Sequence, residues 1–113
     1  MSRFDHKTGQ LFEIDGAQIY CEITGNLAGP PLLFLHGGMG TVEDLNIFVQ
    51  HLADDFKIIG IDSRGQGKST LGDCVLTYER MQQDVIAVLE QLNISQLSIL
   101  GFSDGGIIAY RIA

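Results

Sequence analysis

Gln96-Leu97-Ser98-Ile99-Leu100 runs into Gly101-Phe102-Ser103-Asp104-Gly105 and leaves as Gly106-Ile107-Ile108-Ala109-Tyr110. An apolar, strand-like run enters a short turn and emerges as a helix, so Ser103 stands on a strand-to-helix reversal. A nucleophilic serine belongs at such a place. Presenting Oγ at the top of a sheet needs a sharp, strained turn, and the residues two before and two after must be nearly free of side chain where strand and helix approach. Gly101 and Gly105 meet that demand. With 14 Gly in 113 residues, a bare G-x-S-x-G arises by chance in about one such chain in ten, from composition frequencies. The surrounding segments therefore carry the argument.

Two other segments repeat the arrangement. Pro31-Leu32-Leu33-Phe34-Leu35 reads as a buried strand entering His36-Gly37-Gly38-Met39-Gly40, a glycine turn whose backbone N–H groups can face an oxyanion. Lys57-Ile58-Ile59-Gly60-Ile61 is a third apolar strand, ending in Asp62-Ser63-Arg64-Gly65-Gln66-Gly67-Lys68-Ser69. In a parallel α/β sheet, turns that follow strands share one edge, and ligands bind there.

The rest of the chain supplies the elements between. Gln10–Ile14 and Gln18–Ile23 flank Asp15-Gly16, a hairpin signal. From Thr41 a helical period places Val42, Leu45, Phe48, Val49 and Leu52 on one face, closing near Asp54-Asp55. Thr77 is the expected N-cap of a second helix, with the apolar stripe Met81, Val85, Val88, Leu89 and Leu92 and an end at Asn93. Strand alternating with helix predicts an α/β fold with a mostly parallel sheet, flanking helices and an N-terminal antiparallel hairpin at one edge.

In order, spacing and strand context, HG-x, D-x-R-G-x-G-x-S and G-x-S-x-G across residues 10–113 resemble the N-terminal half of the α/β-hydrolase fold family. The Ser103-Asp104-Gly105-Gly106 version is most similar to esterase-type hydrolases and to the valacyclovir hydrolase-like branch. The resemblance implies a serine hydrolase acting on a small carboxylic ester or related acyl substrate. Ser103 Oγ would attack the carbonyl, and the backbone N–H of Asp104 with that of Gly38 would form the oxyanion hole, Met39 being the alternative to Gly38. Met39 and the Asp104 carboxylate are also candidate substrate contacts, the latter toward an ammonium group. A carboxylate in the first turn of a helix equally suits the helix dipole.

The family's pattern continues with further strands that carry the triad acid and histidine, whereas ten residues follow Ser103 here, none of them His. The expectation is one incomplete domain over residues 1–113: five strands, two helices and the start of the nucleophile's helix. Alone, these residues are expected to be inactive. The strand at Gln96–Leu100 would lack a neighbour, exposing Leu97, Ile99, Leu100, Ile107, Ile108 and Ala109 and inviting self-association.

His36, the HG histidine, is expected to order its turn by hydrogen bonding; His51 is placed on the solvent side of the first helix and His6 in the N-terminal tail, neither reaching Ser103. Asp62 and Arg64 are expected to buttress the neighbouring turn. Gly67-Lys68-Ser69 looks like the end of a phosphate-binding loop, but Asp62 stands where that loop needs glycine, and a carboxylate repels phosphate. No His/Cys/Asp grouping has metal-ligand spacing, and no cofactor is expected.

The formal charge of −7 and pI near 4.6 disfavour nucleic acid and anionic membranes, which attract basic patches. Residues 1–7 hold no apolar run of a secretory signal, and no stretch approaches membrane-spanning length. Cys21 and Cys74, far apart, read as free thiols in a reducing, cytoplasmic setting. The alternative to an enzyme is a non-catalytic α/β-hydrolase-like binding module with an unused serine.

Overall fold

The computed structural model describes residues 3–73 and 75–112; Cys74, one of the two thiols, lies outside them. Five strands, β1 (Gln10–Ile14), β2 (Ala17–Gly25), β3 (Pro31–Leu35), β4 (Lys57–Ile61) and β5 (Ser98–Gly101), form one sheet in the order β1-β2-β4-β3-β5. β1 and β2 are an antiparallel hairpin, β2 pairs antiparallel with β4, and β3 is parallel to both β4 and β5. The C-terminal ends of β3, β4 and β5 therefore share one edge, and the three glycine-bearing turns meet there. The hairpin turn has Asp15 at φ 45° and Gly16 at φ 79°; both central residues at positive φ match the right-handed twist of the strands they join.

Period-two alternation sends the apolar strand residues to two faces. Leu33, Leu35, Ile59, Ile61, Ile19 and Cys21 meet Met81, Val85, Val88 and Leu89 of α2 (Tyr78–Gln91) and Ile108 of α3 (Asp104–Ile112). On the other face Leu32, Phe34 and Ile58 pack against Val42, Leu45, Val49 and, from the N-terminal segment, Phe4. Gly60 makes room for that phenyl ring, since a Cβ there would stand 2.6 Å from it. Thr77 caps α2 by accepting from the Arg80 N–H at 2.9 Å.

Four expectations change. The helix beginning at Thr41 is a 3₁₀ turn (Val42–Leu45) followed by α1 (Asn46–Leu52). Around that tight start the Thr41 N–H donates to Asp44 Oδ2, Thr41 Oγ1 accepts from the Glu43 N–H, and the Val42 N–H is taken by Asp62 Oδ1. Three residues per turn put Leu45 over Val42, so Phe48, placed in the apolar stripe from a 3.6 period, turns sideways and is 38% exposed. β5 occupies 98–101 rather than 96–100: Asn93, at φ 59°, closes α2 with bonds from the Asn93 and Ile94 N–H groups to Glu90 and Leu89, and residues 94–97 complete the turn. Ile108 is buried on the inner face of α3 rather than exposed; Ile107 is exposed, Leu100 is half-buried against the other core, and Leu97 and Ile99, half-buried, line a groove of about 730 Å³.

His6 is the fourth. The segment read as N-terminal tail is tied through it to Asp62 and Glu43. Nε2 lies 2.5 Å from Asp62 Oδ2, Nδ1 lies 3.3 Å from Glu43 Oε1, and the ring meets Tyr20 edge-on. The buried Glu22 carboxylate holds the same segment, accepting from the Asp5 and His6 N–H groups and from the Tyr20 hydroxyl. Burial and that last bond push the Tyr20 phenol above its usual range. Among the described residues no helix is long and apolar enough to cross a membrane.

Candidate active site

Ser103 joins β5 to α3 with φ 55°, left-handed backbone that costs a residue with a side chain about 1–3 kcal/mol. Its neighbours hold it there. The Phe102 N–H donates to Leu35 O at 3.1 Å and the Gly105 N–H to Phe102 O at 2.9 Å. A Cβ on Gly105 would run into the carbonyls of Leu35 and His36, and one on Gly101 into the backbone of Gly105 and Gly106. Both glycines are thus required by close backbone approach, the demand inferred from the sequence. Ser103 is exposed, and its hydroxyl makes no hydrogen bond among the described residues.

The turn after β3 lies against it. A methyl at Gly37 would stand 3.4 Å from Ser103 Cβ, and a Cβ at Gly38 would collide with Asp104 Oδ2. The fold therefore brings Ser103, Asp104 and the Gly37–Gly38 turn together. Met39 sits in left-handed backbone, φ 61°, with its side chain 97% exposed at the tip. Asp104 begins α3, where a carboxylate opposes the positive end of the helix. Its Oδ1 also accepts from the Tyr78 hydroxyl at 2.8 Å, which raises the phenol's pKa. Sequence reasoning missed Tyr78: the contact spans 26 residues, and nothing local to position 78 announces it.

The histidines lie elsewhere. His36, fully buried, accepts from the Ser63 N–H at Nε2 (2.9 Å) and places Nδ1 2.6 Å from Gly37 O. Both ring nitrogens are therefore spent on linking the turns after β3 and β4, the ordering part expected of it. His51 is exposed on α1.

In the turn after β4, Asp62 accepts from the N–H groups of Val42 and Lys68, and its backbone carbonyl accepts from Ser69 Oγ. A Cβ at Gly67 would meet the Asp62 carboxylate, so negative charge already sits against this loop. Arg64, fully buried, is bidentate to Asp84 of α2 at 2.8 Å and reaches the carbonyl of Ile14. Both residues buttress, as expected. Among the described residues no cluster of three or more His, Cys, Asp or Glu could hold a metal.

Two depressions flank Ser103. One, about 390 Å³, lies between the turn 37–40 and α1, with Ile47, Phe48 and Phe102 on its apolar wall. The other, about 480 Å³, is lined by Leu76, Thr77, Tyr78, Met81 and Asp104. Sequence reasoning did not single out Ile47 or Phe102.

A family model described as alpha/beta hydrolase fold matches residues 30–113. The chain is 34% identical to the sn-1-specific diacylglycerol lipase ABHD11 of Xenopus laevis over 91 residues, 79% of this chain and 29% of that protein. It is 33% identical to esterase YbfF of Escherichia coli K12 over 76 residues, 67% of this chain and 30% of that one. Among solved structures, the esterase EaEST from Exiguobacterium antarcticum superposes with a TM-score of 0.84 at 33% identity, over 93% of this chain and 39% of that chain. The chain thus spans about 30% of the length of these curated relatives.

Proposed function

The chain belongs to the alpha/beta hydrolase fold family, and from that premise we propose that the whole protein is a serine-nucleophile hydrolase of small carboxylic esters or related acyl substrates. The observation that carries the reading is Ser103 itself, exposed in left-handed backbone between two glycines that admit no Cβ. Ser103 Oγ attacks the carbonyl carbon, and the carbonyl oxygen takes the charge facing the N–H groups of Asp104 and Gly38, with Met39 next in the same turn. Each such donor contributes about 3 kcal/mol to the transition state. His6 and His36 are engaged elsewhere, so the reading assigns the general base and its acid to another part of the protein, residues 1–113 being one part of a longer domain. The similarity to an esterase and to a diacylglycerol lipase supports an acyl ester as substrate.

The narrower placement beside valacyclovir hydrolase-like enzymes gives the Asp104 carboxylate a substrate ammonium to meet. Tyr78 holds Oδ1, and Oδ2 faces Gly38. A preference for amino-acyl over plain acyl esters, lost in Asp104→Asn, is its test. We also assign the protein to a reducing, cytoplasmic compartment, which suits the buried free thiol of Cys21.

In the full-length protein a fluorophosphonate should label Ser103, and Ser103→Ala should abolish labelling and lower ester turnover by at least about a thousandfold. Labelling that persists in the variant removes the nucleophile assignment. Absence of labelling and turnover in the native protein favours a non-catalytic binding module.

A further inference from the structure

The depression between the turn 37–40 and α1 lies beside Ser103, because Gly37 and Phe102, which line it, are immediate neighbours of that serine. A methyl at Gly37 would touch Ser103 Cβ at 3.4 Å and the Phe102 ring at 3.5 Å. Within residues 1–113 its apolar wall is uncovered: Ile47 and Phe102 are each 61% exposed, and Phe48, outside the core stripe, lines it as well. Three glycines on the opposite wall leave the floor as bare backbone. Among the described residues Asp44 supplies the lining's one carboxylate, already committed to the Thr41 N–H, and no cationic residue lines the space. The depression on the other side of Ser103 differs in kind, carrying the Tyr78–Asp104 pair.

Resting on the reading of Ser103 as nucleophile, we propose that this depression is the subsite for an uncharged, apolar arm of the ester, with Ile47 and Phe48 setting how long that arm can be. Apolar surface rimmed by polar groups gains most from an apolar occupant. A carboxylate at the rim, with no cation to offset it, turns away anionic arms. Each methylene that leaves water here raises kcat/KM about fourfold until the space is full. The arm is either the acyl chain or the alcohol chain, since both carry the same chemistry past Ser103.

The test uses the full-length protein with methyl octanoate and octyl acetate, each measured against methyl acetate. Ile47→Trp, on an exposed helix position, should lower the kcat/KM ratio of long over short ester at least tenfold. Loss confined to methyl octanoate identifies the acyl arm; loss confined to octyl acetate identifies the alcohol arm. His51→Ala, on the same helix and outside the depression, should leave both ratios unchanged. If neither ratio moves in Ile47→Trp while a fluorophosphonate still labels Ser103, the subsite is wrong and the hydrolase reading stands. If Ser103 is not labelled and no ester is cleaved, amide shifts on adding methyl octanoate to Ser103→Ala decide the subsite. Shifts at Gly37 and Phe48 that Ile47→Trp removes keep it, and their absence ends it.

Discussion

The turn after β4 and the turn after β5 leave the same edge of the sheet and are built in opposite ways. In the first, Asp62 and Arg64 are fully buried charges whose polar atoms meet backbone N–H groups, carbonyls, His6 and Asp84. In the second, Ser103 is exposed and strained, and its hydroxyl has no hydrogen-bond partner among the described residues. A buried charge is tolerable only when it is paired and bonded. A reactive hydroxyl must keep its lone pairs for substrate. One turn therefore uses polar groups to fix structure, and the other accepts strain to hold a group ready. His36 connects them, tying Ser63 of the rigid turn to the glycine turn that lies against Ser103.

The sharpest way to break this contrast is to remove a buried charge. Arg64→Met should destabilise by about 3–5 kcal/mol in denaturant unfolding, because Asp84 is left buried beside the loss. Adding Asp84→Leu should recover much of it. An Arg64→Met loss below 1 kcal/mol would make the rigid turn no more dependent on its charges than a surface loop.

Gly105→Ala comes next, at about 1–3 kcal/mol, since its methyl presses on the carbonyls of Leu35 and His36. Fluorophosphonate labelling of Ser103 should slow with it, as α3 shifts away. Unchanged stability and labelling would mean that the approach of α3 to β3 is looser than these contacts require.

Ser103→Gly should act in the reverse direction and stabilise by about 1 kcal/mol, because glycine adopts φ 55° without penalty. Equal stability of Ser103→Gly and native protein would remove the claim that strain is stored at this turn.

Cys21 gives the smallest effect. Burial pushes its thiol up to about 12 from 9.0. The folded state thus holds this proton more tightly than the unfolded one, so its contribution is whole below pH 9 and is lost as pH rises from 9 toward 12. Iodoacetamide at pH 8.5, read by mass mapping, should leave Cys21 unmodified until the fold is opened. Prompt alkylation in the native state would show that β2 opens without the rest of the core.

How much was legible in advance depended on the range of the interaction. Gly101, Gly105, the Asp15-Gly16 hairpin and the Thr77 cap act within a few residues, and local sequence states such requirements directly. The stripe of α2 was legible too, because a regular 14-residue helix keeps its period. Phe48 was misplaced because a 3₁₀ start changes the phase of the helix, and that start is held by Asp62, twenty residues beyond Val42. His6 was taken for tail because its partners lie 37 and 56 positions away. Tyr78 on Asp104 and the Ile47–Phe48 wall beside Phe102 have the same origin.

By itself the sequence determined the element order, the α/β class, the serine on its glycine-flanked turn and the reason Asp62 excludes a phosphate. These follow from periodicity, backbone freedom and charge, which each residue carries wherever the chain goes. Only the tertiary structure decided that β3, between β4 and β5, sets the three turns side by side, that the Gly37–Gly38 turn rests on Ser103 and Asp104, and that one flank of the serine is apolar while the other holds Tyr78 and Asp104. Those are relations between segments tens of residues apart, fixed by which faces bury one another, and no single segment contains them.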